Sequence, residues 1–124
     1  MEFALVVPIL FAVMFGLIDT GRFIATRTFL AQAAAAGSRA MCLGGATSSS
    51  VDQAVRDSSP GVAITVDWST TSTQCTDSTG TAKACTPPMN GGDVVNLRVQ
   101  YNFVPAFFRT LQRTITNDSR VVCP

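Results

Sequence analysis

The hydrophobic pattern changes character twice along the chain. From Phe3 to Ile18 no side chain is charged or polar: Phe3-Ala4-Leu5-Val6-Val7-Pro8-Ile9-Leu10-Phe11-Ala12-Val13-Met14-Phe15-Gly16-Leu17-Ile18. As a helix these sixteen residues rise about 24 Å, against a bilayer hydrocarbon core of about 30 Å, so helical flanks are needed for a full span. The run is apolar on every face, unlike the one-sided stripe of a core helix in a soluble protein. Asp19, Arg22 and Arg27 stand between it and the small-residue sites near Ala34, which disfavours a cleaved secretory signal. Beyond Asp19 the pattern becomes one-sided. Phe23, Leu30, Ala34, Gly37 and Met41 recur on one helical face, with Arg22, Arg27, Gln32 and Arg39 as its polar points. The small residues from Ala33 to Gly37 would let a partner surface approach closely. Gly44-Gly45 is a stop, because glycine tolerates the left-handed conformation after a helix. One long helix is predicted over Phe3 to Leu43, membrane-buried over 3–18 and amphipathic over 19–43. Pro8 lacks the N–H that the Ala4 carbonyl would accept, which predicts a kink.

Residues 44–124 read as a small globular domain. Ser50 as N-cap, with Gln53 three residues on, predicts a short second helix from Val51 to Ser58, ended by Pro60-Gly61. Val62, Ile64, Val66 and Trp68 alternate with Ala63, Thr65 and Asp67, a half-buried strand. Val95, Leu97, Val99, Tyr101 and Phe103 alternate with polar residues in a longer one, over Val94 to Phe103. A weaker third runs from Arg113 to Cys123, interrupted at Asn117-Asp118-Ser119. The fold class predicted is α+β: the long helix, the short one, and a three-stranded antiparallel meander packed on the amphipathic half. Residues 69–92, rich in Ser, Thr and Gly and containing Pro87-Pro88, are predicted to form a long loop.

Composition sharpens this picture. Charged residues make up 14% and apolar ones 47%, where soluble domains average about 25% charged, so part of the chain is not facing water. There is no histidine, which removes imidazole bases and His-containing metal sites. A net charge of +1 lacks the basic surplus that nucleic acid requires. No nucleophile–base pair, Gly-rich phosphate loop or Cys-x-x-Cys is visible, so neither an enzyme nor a cofactor is predicted. Four cysteines, an even number, point to disulfides and an oxidising compartment. Cys75 and Cys85 could close the long loop. Cys42 and Cys123 would then tie the last strand to the helix end. The spacing leaves other pairings open.

The front of the chain is similar to the TadE/TadG-like family of tight-adherence (Tad) pilus proteins, minor pilins or pseudopilins related to type IVb pilins. Glu2-Phe3-Ala4-Leu5-Val6-Val7-Pro8, then Phe15-Gly16-Leu17-Ile18-Asp19-Thr20-Gly21-Arg22, resembles that family's Glu-Phe-Ala-Leu, proline-containing apolar stretch and Gly-acid-Gly-Arg exit. Val94 to Phe103, Pro105 and the final strand resemble its C-terminal end more loosely. The resemblance implies a structural, non-enzymatic subunit, with Glu2, Phe3 and Pro8 in subunit assembly. It implies other pilin subunits, the pilus assembly platform and the inner membrane as partners, and a domain in the periplasm or on an extracellular pilus. In the family a prepilin peptidase cuts after a Gly and the acid becomes the fifth mature residue. Here the acid is Glu2, so either a leader and three mature residues stand upstream or processing differs. Met1, where the family often has Val, fits a start assigned too late. Arg22 and Arg27 after the span would by themselves hold the cysteine domain in the cytoplasm, and a basic leader would reverse that.

The physical argument for Glu2 is independent of the family. A carboxylate at the edge of an apolar span costs a few kcal/mol if buried unpaired. It needs a partner or a proton. In assembling pilins the resemblance implies the amine of a neighbouring subunit's N-terminus, which would set register. Asp19 and Arg22, three apart, are read as a boundary marker at the other interface rather than as a structural ion pair. Val104-Pro105-Ala106-Phe107-Phe108 is predicted to pack on the helix rather than to form an exposed patch. The leading function is a minor pilin acting in initiation, at the tip or in assembly, because main Flp-type pilins are little more than the helix. The alternative is a membrane-tethered periplasmic binding module that does not polymerise.

Overall fold

The computed structural model describes residues 3–124. Its first element is α1, Phe3–Met41, a single helix of 39 residues, about 58 Å long at 1.5 Å per residue. It runs on through Pro8. It ends two residues before the predicted Leu43, in a turn where Leu43 N–H donates to Ala40 O and Gly45 takes a positive φ of 80°. Only left-handed backbone closes that turn, hence the glycine.

The second helix, α2 (Ser48–Asp57), starts earlier than predicted. Thr47, not Ser50, is the N-cap: its hydroxyl accepts the Ser50 N–H (3.2 Å), and Ser50 Oγ accepts the Thr47 N–H (2.9 Å). The Thr47 and Ser50 pair satisfies the same reciprocal pattern as Ser50 with Gln53, one turn sooner. Val51 and Val55 are its buried face.

The sheet is antiparallel, as expected, but has five strands rather than three. They are β1 (Thr65–Val66), β2 (Gln74–Thr76), β3 (Ala82–Lys83), β4 (Val94–Phe103) and β5 (Arg113–Val122). β4 is central. β5 pairs with it along its whole length, from Val94↔Val122 to Phe103↔Arg113. The opposite edge of β4 is shared end to end by β1, at Val99 and Gln100, and β2, at Val94 to Asn96. Between them Asp67 N–H donates to Arg98 O (2.9 Å), and the Thr73 hydroxyl accepts the Arg98 N–H (3.3 Å). A side chain thus fills the break in the ladder. The expected meander of β1, β4 and β5 is present, with the β2–β3 hairpin inserted into it.

Two strands differ from expectation for local reasons. The predicted strand over Val62–Trp68 shrinks to two residues because Ile64 N–H bonds Val62 O (2.8 Å) and bends the chain before the ladder begins. β5 has no interruption at Asn117-Asp118-Ser119. Asp118 faces Arg98 across the ladder and takes two hydrogen bonds from its guanidinium (2.6 and 2.7 Å). Ser119 Oγ lies 3.2 Å from the fully buried Ser38 Oγ of α1.

The core lies between the sheet and the second half of α1. Val95, Leu97 and Val99 of β4 point to it and are fully buried, as are Leu30, Ala33, Ala34 and Met41 of α1. The small residues are therefore covered by the chain's own head, not kept free for another subunit. A Cβ on Gly37 would stand 2.6 Å from both Leu97 Cδ2 and Val55 Cγ2.

Candidate assembly surface

The apolar run of α1 is bare. Exposure ranges from 60% at Ile9 to 85% at Phe3 among Phe3, Leu5, Ile9, Leu10 and Leu17. Only 6% of the most apolar 18-residue window is buried, whereas a core helix would be covered by its own chain. By length and composition this helix is able to cross a bilayer.

The run ends at a seam with the head. Asp19 is 8% exposed, and its carboxylate accepts the backbone N–H groups of Ala106 (3.1 Å) and Phe107 (3.3 Å) from the β4–β5 loop. Arg22 Nη1 is farther, at 3.9 Å, with half its side chain in the open. Asp19 thus sits at the predicted boundary, but its role is to satisfy loop backbone where water is scarce. Sequence reasoning missed this.

Phe107 stacks on Phe15, with ring centroids 4.2 Å apart, and Phe11 continues the row at 5.9 Å. The loop packs on the helix as predicted. Yet Phe107 and Phe108 keep nearly half their surface exposed, so packing and patch are both realised. Pro8 lines a cleft of about 700 Å³ with Phe11, Ala12, Phe15, Phe107 and Phe108. Phe3 projects from the first turn. Glu2 lies outside the described residues. The geometry therefore brings Pro8 to the loop and leaves Phe3 apart from it.

The cysteines form two disulfides, Cys42–Cys123 and Cys75–Cys85, each with Cα atoms 5.3 Å apart. The first joins the end of α1 to the end of β5, and the second staples β2 to the segment after β3. Beside them Asp93, almost wholly buried, accepts from Lys83 Nζ (2.7 Å) and the Asn90 N–H (2.9 Å). No cluster of three or more His, Cys, Asp or Glu able to hold a metal occurs among the described residues.

Hydrogen bonding sets the acid limit of the head. The Lys83 ammonium, then the Asn90 N–H, hold the Asp93 carboxyl below its usual 3.8. The Arg98 guanidinium does the same for Asp118. Thr79 does so for Asp77, chiefly through its hydroxyl. A carboxylate whose folded pKa is depressed adds stability that is fully present above the unfolded pKa and is lost as pH falls through the folded one. Head stability should therefore be flat from neutral pH down to about 5 and then fall below about 4. Asp93→Asn should make that decline shallower. Urea midpoints across this pH range check it, and an unchanged slope would remove Asp93 from the account.

The plan is a single long helix, bare and apolar in its first half and docked on an α+β head in its second. Residues 1–39 match the family described as TadE-like protein. Over that stretch the chain is similar to TadE-like proteins, and its head lies beyond the matched residues. No curated protein and no solved structure matches it.

Proposed function

We propose that the chain is a minor pilin of a Tad, type IVb-like filament, acting in initiation, at the tip or in assembly, with an adhesion-related head. One observation carries the reading: the apolar half of α1 has almost none of its own chain against it, while the amphipathic half is used up by the head. Such a helix needs lipid before assembly and other helices afterwards. The disulfides support a head on the periplasmic side and later on the extracellular pilus, since they persist in oxidising compartments. A head of this size distinguishes the chain from a shaft pilin that is little more than its helix. The partners are other pilin subunits, the assembly platform and, for a chain made with a leader, the prepilin peptidase.

Glu2 is the proposed register element, its carboxylate paired with a neighbouring subunit's terminal amine. Glu2→Ala should insert into the membrane normally but be depleted from sheared filaments. Immunoblots of membrane and filament fractions, with N-terminal sequencing of each, test this. Wild-type incorporation of the variant would sink the pairing mechanism. An unprocessed protein confined to membranes would instead support a tethered, non-polymerising module.

A further inference from the structure

The β4–β5 loop carries an apolar surface that the proposed function leaves unused. Phe107, Phe108 and Leu111 are 47%, 48% and 66% exposed, and Val104 adds to them. This surface is continuous with the bare helix, since Phe107 lies on Phe15 and both phenylalanines share the cleft with Pro8 and Phe11. We propose that the loop enters the lipid beside α1, so that the head is held down on the bilayer by a second, shallow insertion. The proposal rests on the reading of residues 3–18 as a membrane anchor.

Three observations favour lipid as the occupant. The first is depth. Phe15 is four residues before Asp19, about 6 Å deeper along the axis, within the 5–10 Å to which interfacial elements sink their apolar faces. With residues 3–18 in the bilayer, Phe107 is carried to that depth. The second is backbone satisfaction where the loop meets Phe15, at Pro105 to Phe107. Lipid leaves no water for loose N–H groups. Here the Ala106 and Phe107 donors go to Asp19, Leu111 N–H goes to Phe108 O (2.9 Å), and Pro105 has no N–H. The third is charge. Arg109 lies within the loop between Phe108 and Leu111 and Arg113 opens β5, both exposed, Arg22 stands beside Asp19, and no acid occurs from Tyr101 to Asn117. An apolar wedge rimmed by arginine matches an anionic headgroup layer.

The test uses the full chain with Trp68→Phe, which removes its single tryptophan. Reporters are introduced singly: Leu10→Trp in the helix, and Phe108→Trp or Leu111→Trp in the loop. Each is placed in vesicles of dibrominated phosphatidylcholine and phosphatidylglycerol and also titrated with iodide. Intact disulfides, shown by the absence of free thiols, certify folding. The expected result is that helix and loop reporters both lose more than half their emission to bromolipid and resist iodide. Bromolipid quenching of Leu10→Trp with iodide quenching of both loop reporters would overturn the proposal and leave the anchor standing. Loop reporters shielded from both quenchers only at high protein density would assign the surface to a second copy of this chain, which also overturns it. Leu10→Trp untouched by bromolipid would remove the anchor reading and the proposal with it.

Discussion

Replacing Cys42 and Cys123 together with serine should cost the head about 4–5 kcal/mol, the largest loss expected from any pair of substitutions here. The argument is the length of chain enclosed. This bridge spans 81 residues, whereas Cys75–Cys85 spans 10. Loop-closure entropy gives about 4.5 kcal/mol for the longer loop and about 3 kcal/mol for the shorter. The native contacts around the long bridge survive its removal on paper. Met89 N–H still bonds Met41 O (2.9 Å), and Cys123 still exchanges backbone bonds with Gly92 and Asp93 (both 2.8 Å). The loss therefore lies mainly in the freed unfolded chain. Urea unfolding of the full chain in detergent, followed by Trp68 fluorescence, compares the two double variants. A larger loss for Cys75→Ser/Cys85→Ser would refute the loop-length account. The position of the long bridge also matters under the proposed filament role. It joins the residue after the helix to the residue after the last strand, so tension between shaft and head passes through a covalent bond before it reaches the β4–β5 ladder.

Where the sequence is periodic, the fold can be read from it. The long helix announces itself by an unbroken apolar run followed by a one-sided stripe. β4 alternates Val95, Leu97 and Val99 with Asn96, Arg98 and Gln100, and the burial follows that alternation. The short strands are invisible for a physical reason. Gln74-Cys75-Thr76 and Ala82-Lys83 have no periodicity to show. They are held by the turn between them, where the Asp77 carboxylate accepts the N–H groups of Thr79 and Thr81 (both 2.9 Å) and Gly80 has φ of 86°. An aspartate followed by Ser, Thr and Gly is a recognisable turn, and it splits the long loop. β5 looks broken in the sequence because Asn117-Asp118-Ser119 has the polarity of a turn, although each residue lies opposite a β4 partner. Asp19 is a tertiary effect: an acceptor meets its donors 87 residues away, which no local pattern contains. The bare apolar surface is legible from Phe3 to Ile18, but the share of the β4–β5 loop in it is not.

Gly37→Ala should destabilise the head by up to about 2 kcal/mol, while Gly21→Ala in the same helix should stabilise it by up to about 1 kcal/mol. Both changes remove a glycine from a helix interior, and that alone is favourable by about 1 kcal/mol. At Gly21 a new methyl meets nothing within 4 Å. At Gly37 it meets Leu97 Cδ2 and Val55 Cγ2, each at 2.6 Å, inside any allowed carbon contact. Neither neighbour can swing aside, because both are buried to within 1%. Overpacking of this kind costs about 1–3 kcal/mol, which outweighs the propensity gain. Paired urea midpoints decide it, and a stabilising Gly37→Ala would mean that helix and sheet do not approach this closely. The sign bears on assembly as well. Small residues let helices from different subunits pack closely. In this chain the stretch from Ala33 to Gly37 is spent on binding the head against its own shaft. Under the proposed function, close packing between subunits would draw on the bare residues 3–18, where a methyl placed on Gly16 would also meet nothing within 4 Å, leaving that position open to a neighbouring helix.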